Sequence, residues 1–308
     1  MEAVSGIIVL NKDEGLTSQS AVSRVRRLFG ARKAGHGGTL DPMATGVLPV
    51  LLGGATVAAE YLVSGEKHYI ATLRLGLTTD TEDITGEVLT RHEGELPAAD
   101  AVQEAAARFL GESEQIPPMY SALKQGGRKL CDLARAGITV EREARRITVG
   151  RLDVAPLSES DYRLEVVCSK GTYIRTLCAD IGAALGVGGA MASLCRAEAG
   201  GFTLDKAYTL EALTAMTEAE RMAALIPVEN VFADFPAVHL PPFFARLARS
   251  GQQIYQRKIG TSHPLGQRIR MCDEGGFFAL GEVREYDSEK GNGEKETAIK
   301  PIKMFLAE

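Results

Sequence analysis

The sequence predicts an α+β fold in two domains, the larger built on a mixed, mainly antiparallel sheet and the smaller rich in β-structure. Three observations predict it. The chain has 308 residues, about two domains at roughly 150 residues each. Strands and helices are mixed without strict β-α-β alternation, which disfavours a doubly wound parallel sheet. The texture changes near Asp234, where Pro236, Pro241 and Pro242 mark a linker and short strands follow. The boundary is placed there, giving domains 1–233 and 234–308.

The elements follow in order. Gly6 to Leu10 is a short apolar strand. Thr17 or Ser18 caps a helix whose Ala21, Val22, Val25, Leu28 and Phe29 share one face, with Gly30 as its stop. From Tyr69 to Leu75 apolar residues alternate with Ile70, Thr72 and Arg74, a half-buried strand. Ala99 to Leu110 is an amphipathic helix closed by Gly111. Arg146 to Val154 and Tyr162 to Cys168 are expected to pair antiparallel. Thr172 opens a helix carrying Ile174, Leu177, Ile181 and Leu185, and Thr217 with Glu220 suggests a capping box. Gln267 to Cys272 and Gly276 to Val283 read as strands, and Ser288 to Thr297 as a polar loop before a last strand.

Composition narrows the class. Hydrophobic residues are 45% and charged residues 24%, which excludes a disordered or collagen-like chain. The longest apolar stretch, Val47 to Val63, contains Pro49, Gly53, Gly54 and Glu60, so no membrane span is expected. The first residues carry an acid where a signal peptide would be basic, and the expected compartment is the cytoplasm. Five widely spaced cysteines without a Cys-x-x-Cys pair argue against disulfides and a thiolate zinc site. No P-loop, Gly-x-Ser-x-Gly or His-Glu-x-x-His is present. Asp80 to Gly86 lacks the ligand alternation of a calcium loop and reads as an acidic surface turn.

The net charge is −5, but it is unevenly spread. Arg24, Arg26, Arg27, Arg32 and Lys33 fall in one segment without an acid. Phe243 to Arg270 holds Arg246, Arg249, Arg257, Lys258, Arg268 and Arg270, again without an acid. Lys124 to Arg146 is also net basic. A polyanion feels such local fields, because salt screens charges beyond about 10 Å.

The densest motif is Gly35-His36-Gly37-Gly38-Thr39-Leu40-Asp41-Pro42-Met43-Ala44-Thr45-Gly46-Val47-Leu48. Its one acid, Asp41, is held between glycines and stiffened by Pro42. Such an aspartate can serve as a nucleophile or base, or it can cap a turn.

This motif resembles the catalytic signature of the TruB-type tRNA pseudouridine synthases. Four further blocks match in the family's order: Asn11-Lys12 with Gly15 to Ser18; Lys67-His68-Tyr69 through Gly76 to Asp83; Gln115 to Lys124; and Ser169 to Leu177. The match covers roughly residues 6 to 230, while the last 75 or so more loosely resemble a PUA-like RNA-binding domain. The chain departs from the family at Asp13, Cys131 and Glu198.

The resemblance implies a catalytic domain of the pseudouridine synthase type. The implied reaction converts uridine U55 in the T loop of tRNA to pseudouridine. The base leaves its sugar at N1 and rejoins through C5, with no metal or other cofactor. Asp41 is the implied nucleophile. Attack at C1′, attack at C6 and removal of the 2′ proton all remain open to it. Arg175 is its counter-charge. Tyr69 stacks on the base or relays the C5 proton. Leu194 walls the pocket and Tyr173 belongs to the same site. His36 fills the space left by the flipped base. Lys12 supports the active-site loop or contacts phosphate. Lys124, Arg128 and Lys129 meet phosphates from an arm hinged at Gly126-Gly127. The expected partner is the T-arm stem-loop, bound by a monomer without an obligate protein partner. Deletion after Asp234 is expected to weaken RNA binding but spare the chemistry. A catalytically silent RNA-binding protein and a nucleoside hydrolase are the competing classes; intact Asp41, Tyr69 and Arg175 disfavour the first, and the basic runs the second.

Overall fold

Apolar side chains at alternating positions lay down the central sheet. In the computed structural model, which describes residues 4–287 and 295–305, the first half of the chain runs β1 (Gly6–Lys12), α1 (Ser18–Leu28), β2 (Ala34–His36), β3 (Thr45–Leu52), α2 (Ala59–Ser64), β4 (Lys67–Leu75), β5 (Leu77–Thr79), β6 (Val88–Arg91), α3 (Ala99–Ala107), β7 (Gly111–Gln115), β8 (Lys124–Gln125), β9 (Arg128–Lys129) and α4 (Leu130–Arg135). Then come β10 (Arg145–Pro156), β11 (Asp161–Cys168), α5 (Ile174–Ala184), β12 (Gly189–Ala199), β13 (Phe202–Thr203), α6 (Leu210–Ala215) and α7 (Glu218–Ala223). The last part holds β14 (Ala237–His239), α8 (Pro242–Arg249), β15 (Ile254–Tyr255), β16 (Arg268–Asp273), β17 (Gly276–Asp287) and β18 (Lys295–Met304).

The main sheet has the order β1-β3-β12-β4-β11-β10-β7, with β2 also on β3 and β13 also on β12. Its ladders are antiparallel except for the short pairing of β12 with β3. Along β4, Tyr69, Ala71, Leu73 and Leu75 turn inward. They meet Ala21, Val22 and Val25 of α1 and Ile174, Leu177 and Ile181 of α5 in one core. Helices α1 and α5 therefore cover the same face of the sheet. Strand β1 is buried on both faces, as its unbroken apolar run requires.

Several local signals act as expected. The Thr17 side chain accepts the Ser20 N–H, and Thr217 with Glu220 forms the capping box. Strands β10 and β11 pair antiparallel. Gly126 and Gly127 both take positive φ as the two-residue turn between β8 and β9, a geometry that favours glycine. Two readings need correction. Pro241 and Pro242 are not linker, because Pro242 starts α8 where its missing N–H costs nothing. Of the loop expected at Ser288 to Thr297, residues 288–294 lie outside the described residues and the rest begin β18.

The last part of the chain forms a five-stranded sheet, β14-β16-β17-β18-β15, with its own core. It shares a second apolar cluster with the main sheet. Phe232 packs edge-on to Tyr61 at 5.0 Å and lies 5.7 Å from Phe277 and 5.2 Å from Phe305. Lys303 pairs with Glu60 and Arg270 with Glu229, each at 2.7 Å, beside this cluster.

Candidate active site

The loop between β2 and β3 carries Asp41, and three side chains from elsewhere fix its shape. Ser18, at the start of α1, accepts the Leu40 N–H at 2.8 Å and donates to the Leu40 carbonyl at 2.9 Å. Lys12 is fully buried, and its ammonium donates to the carbonyls of Asp13, Leu16 and Pro42. Arg196 on β12 is 1% exposed and donates to the carbonyls of Gly38, Thr39 and Val47. Gly46, at φ 101°, lies against the Arg196 backbone, where a Cβ would come within 2.3 Å of the Arg196 carbonyl oxygen. The loop is thus pre-set, and Asp41 projects from it with 37% of its side chain exposed.

Asp41 Oδ2 lies 2.9 Å from Arg175 Nε. The Arg175 side chain, 5% exposed, is placed by the first turn of α5. Its other nitrogens donate to the Thr81 carbonyl at 2.9 Å and the Tyr120 carbonyl at 2.8 Å. One guanidinium therefore gathers three segments that are distant in sequence. Asp83, itself 7% exposed, stands 3.9 Å from the same Nε. Its other oxygen accepts from Thr81 and from the Thr85 N–H, both at 2.9 Å. Burying a charge requires such complete pairing.

Tyr69 stands in register with Arg196 on one side and Val166 on the other. Burial pushes its phenol pKa up, and the neighbouring Arg196 charge opposes this, so a neutral O–H is present at pH 7. Tyr173 precedes α5, and Gln115 holds both its backbone groups, accepting the N–H at 2.8 Å and donating to the carbonyl at 3.1 Å. Burial also raises the Tyr173 phenol. Leu194, 8% exposed, lies two residues before Arg196 on β12. His36 ends β2, and its Nδ1 is buried without a hydrogen-bond partner. Burial, then the Arg196 charge, pushes its pKa down.

Two family models match this chain: the TruB family pseudouridylate synthase (N terminal domain) over residues 26–174, and the tRNA pseudouridylate synthase B C-terminal domain over 175–233. The chain belongs to the TruB family of pseudouridylate synthases. It is similar to tRNA pseudouridine synthase B of Azoarcus sp. (strain BH72), 44% identical over 91% of each chain. It is 42% identical to the protein of that name from Alkaliphilus oremlandii (strain OhILAs), over 92% of this chain and 95% of that one. Among solved structures it resembles a Cbf5-Nop10-Gar1 complex, with TM-score 0.73, 28% identity, and coverage of 98% of this chain and 85% of that chain. It also resembles an H/ACA RNP bound to a substrate RNA containing 2′-deoxyuridine, with TM-score 0.70, 26% identity, and coverage of 98% and 85%.

In this TruB synthase the two family models meet at α5, next to Arg175. Both halves build one sheet, because β12 from the second pairs with β3 and β4 from the first. The fold brings Asp41, Tyr69, Tyr173, Arg175 and Leu194 together. It does not present Lys12 to phosphate, since the ammonium is consumed by three carbonyls inside the loop. Lys124, Arg128 and Lys129 lie exposed on the β8–β9 hairpin. A surface cleft of about 590 Å³ between α1 and α6 is lined by Arg24, Arg27 and Leu28 and touches none of the cluster. Among the described residues, no group of three or more His, Cys, Asp or Glu is placed to hold a metal ion.

Sequence reading misses Arg196 and the role of Asp83. Asp83 falls in a turn that reads as acidic surface, yet it is 5% exposed overall. The matching Thr79 to Asp83 block is the available signal. For Arg196 no local signal exists.

Proposed function

We propose that this enzyme isomerises U55 in the T loop of tRNA to pseudouridine, with Asp41 as its reacting carboxylate. The observation that carries the reading is the Asp41–Arg175 pair. Asp41 is partly open to solvent on a braced loop, while its arginine is buried and held by two backbone carbonyls besides. That arrangement orients an ionised carboxylate toward an incoming base at little further cost in reorganisation. The names of the relatives support tRNA as the substrate.

The uridine must leave its stack to reach Asp41, which costs a few kcal/mol. His36, kept neutral by burial, is suited to occupy the gap. The N1–C1′ bond breaks, the base turns, and C5 bonds to C1′. The C5 proton is then lost and N1 gains one. Asp41 serves at C1′, at C6 or on the 2′ proton. Tyr69 offers a ring face to the base and a neutral phenol near Asp41 as a proton carrier. Leu194 supplies an apolar wall, and residues 234–308 act as the PUA-like RNA-binding domain. Asp41→Asn preserves the size and the hydrogen bond to Arg175 but removes the charge. It is expected to bind unmodified tRNA like the parent and to form no pseudouridine in single-turnover assays. Turnover at the parental rate would falsify the reading.

A further inference from the structure

Glu82 stands out among the residues around Arg175. It is the one non-glycine residue with positive φ among the described residues, at 63°. Such a conformation costs a side-chain-bearing residue on the order of 1 kcal/mol or more and persists only where its surroundings hold it. Here three hydrogen bonds hold it. Its N–H reaches the Thr79 carbonyl, and its carbonyl accepts the Met191 N–H at 3.0 Å. Its carboxylate accepts the Thr176 hydroxyl at 2.5 Å. Thr176 is 6% exposed and follows Arg175 directly in α5. Glu82 itself lies between Thr81, whose carbonyl receives Arg175, and Asp83, which stands 3.9 Å from Arg175.

We infer that Glu82 is a positioning residue for the reaction: its carboxylate fastens the Thr79 to Asp83 turn to the first turn of α5, so that Arg175 stays aimed at Asp41. The inference rests on Asp41 being the reacting carboxylate. The strained turn sets the Thr81 carbonyl and Asp83 at the right height for the guanidinium. Without the Glu82 tie, the hydrogen bonds and ion pairs between the turn and α5 among the described residues are those of Arg175 itself. Asp41 would then share its arginine with a moving partner. Burial raises the Glu82 carboxyl above its ordinary range, while the Thr176 bond and the charges of Arg175 and Arg142 oppose this and Asp180 reinforces it.

Two substitutions test this. Glu82→Gly removes the carboxylate and suits the positive φ, so its melting temperature is expected to equal or exceed the parent's. Its single-turnover rate is expected to fall about tenfold with tRNA affinity unchanged. Thr176→Val keeps shape and loses the hydroxyl, with the same expected loss; Thr176→Ser restores the parental rate. The Glu82→Gly/Thr176→Val double variant is expected to be no slower than the slower single one, because both remove one bond. Parental rates in Glu82→Gly, or in Thr176→Val if Glu82→Gly does not fold, overturn the inference, as do multiplicative losses in the double variant. Asp41→Asn is run alongside. If it is inert while Glu82→Gly is fully active, only this inference fails; if it is active, the reading beneath it fails.

Discussion

Arg196, 1% exposed, is the largest of the almost completely buried side chains among the described residues. Its guanidinium holds the carbonyls of Gly38, Thr39 and Val47, and so holds the loop that presents Asp41. Arg196→Met keeps most of the volume and removes every donor. Buried carbonyls left without partners cost about 1–3 kcal/mol each. The variant is expected to lose roughly 3 kcal/mol of stability and at least tenfold in single-turnover rate, read by denaturant melts and rapid quench. A variant that melts and reacts like the parent would remove Arg196 from the loop's support. Asp41, Tyr69 and Arg175 are legible in the sequence through the family motifs that contain them. Arg196 is not. Its partner Val47 is 149 positions away, and only the register of β12 against β3 and β4 brings them together. Lys12 shows the opposite limit, since its place in a motif is visible in sequence but its burial is not.

At the scale of single elements, β4 and β11 are joined by a fork-to-fork pair, Arg74 to Asp161, at 2.8 and 2.7 Å. The Arg74 hydrogen bonds hold the Asp161 carboxyl below its ordinary range. A depressed carboxylate contributes stability above its unfolded pKa, and that contribution disappears as pH falls through the folded value. Arg74 is 39% exposed, so solvent screening limits the pair to about 1 kcal/mol or less. Arg74→Ala is expected to melt slightly below the parent by a constant gap from about pH 7 to 5. The gap should close below about pH 4. A gap that persists unchanged into strong acid would assign the effect to poorer packing instead.

Helix α1 makes a different point about charge. Arg24, Arg26, Arg27 and Arg32 lie at the surface, and none of them makes a salt bridge among the described residues. The acid-free run from Phe243 to Arg270 is more neutralised than its sequence suggests. Arg249 pairs with Asp273, Arg257 with Glu296 and Arg270 with Glu229, while Arg268 stacks on Tyr61 and Phe235. The acids arrive from outside the run, which composition along the chain cannot reveal. Helix α1 also starts at the loop it braces, and Arg24 is six residues, about 9 Å, from Ser18 along the axis. On the RNA reading, Arg24→Gln with Arg27→Gln is expected to reduce the salt dependence of tRNA binding by about one unit of slope for each phosphate left unneutralised. Arg249→Gln is expected to lower thermal stability more than affinity. Equal salt slopes for the α1 variant and the parent would take the helix out of the RNA surface.

On the scale of the whole molecule, strands β1, β4, β10, β11, β16 and β17 are legible in the sequence from alternation and turn residues, while β3 and β12 in the middle of the main sheet, and the joint between the two sheets, are not. Phe232, Phe277 and Phe305 belong to separate stretches, and nothing in any one of them announces a shared cluster. This changes the expected effect of deletion after Asp234. The shortened chain would leave Phe232 and Tyr61 facing water, stripped of Phe277, Phe305 and Leu280. Truncating one buried aromatic side chain alone costs about 3–5 kcal/mol. The truncated protein is expected to melt well below the parent and to aggregate, so weak activity in it would not isolate RNA binding. A soluble truncation with a parental melting temperature would show that the joint contributes little.

The same joint sets the distance between the two ends of the molecule in this structure. Aromatic packing and flanking ion pairs tie the second sheet to the one whose β2–β3 loop carries Asp41. If both ends touch the RNA, the protein acts as a calliper. It accepts a stem whose reactive loop and far end are separated by the distance between its jaws. A helix lengthened by one base pair shifts and rotates one end away from its jaw, so discrimination arises from length without any base being read.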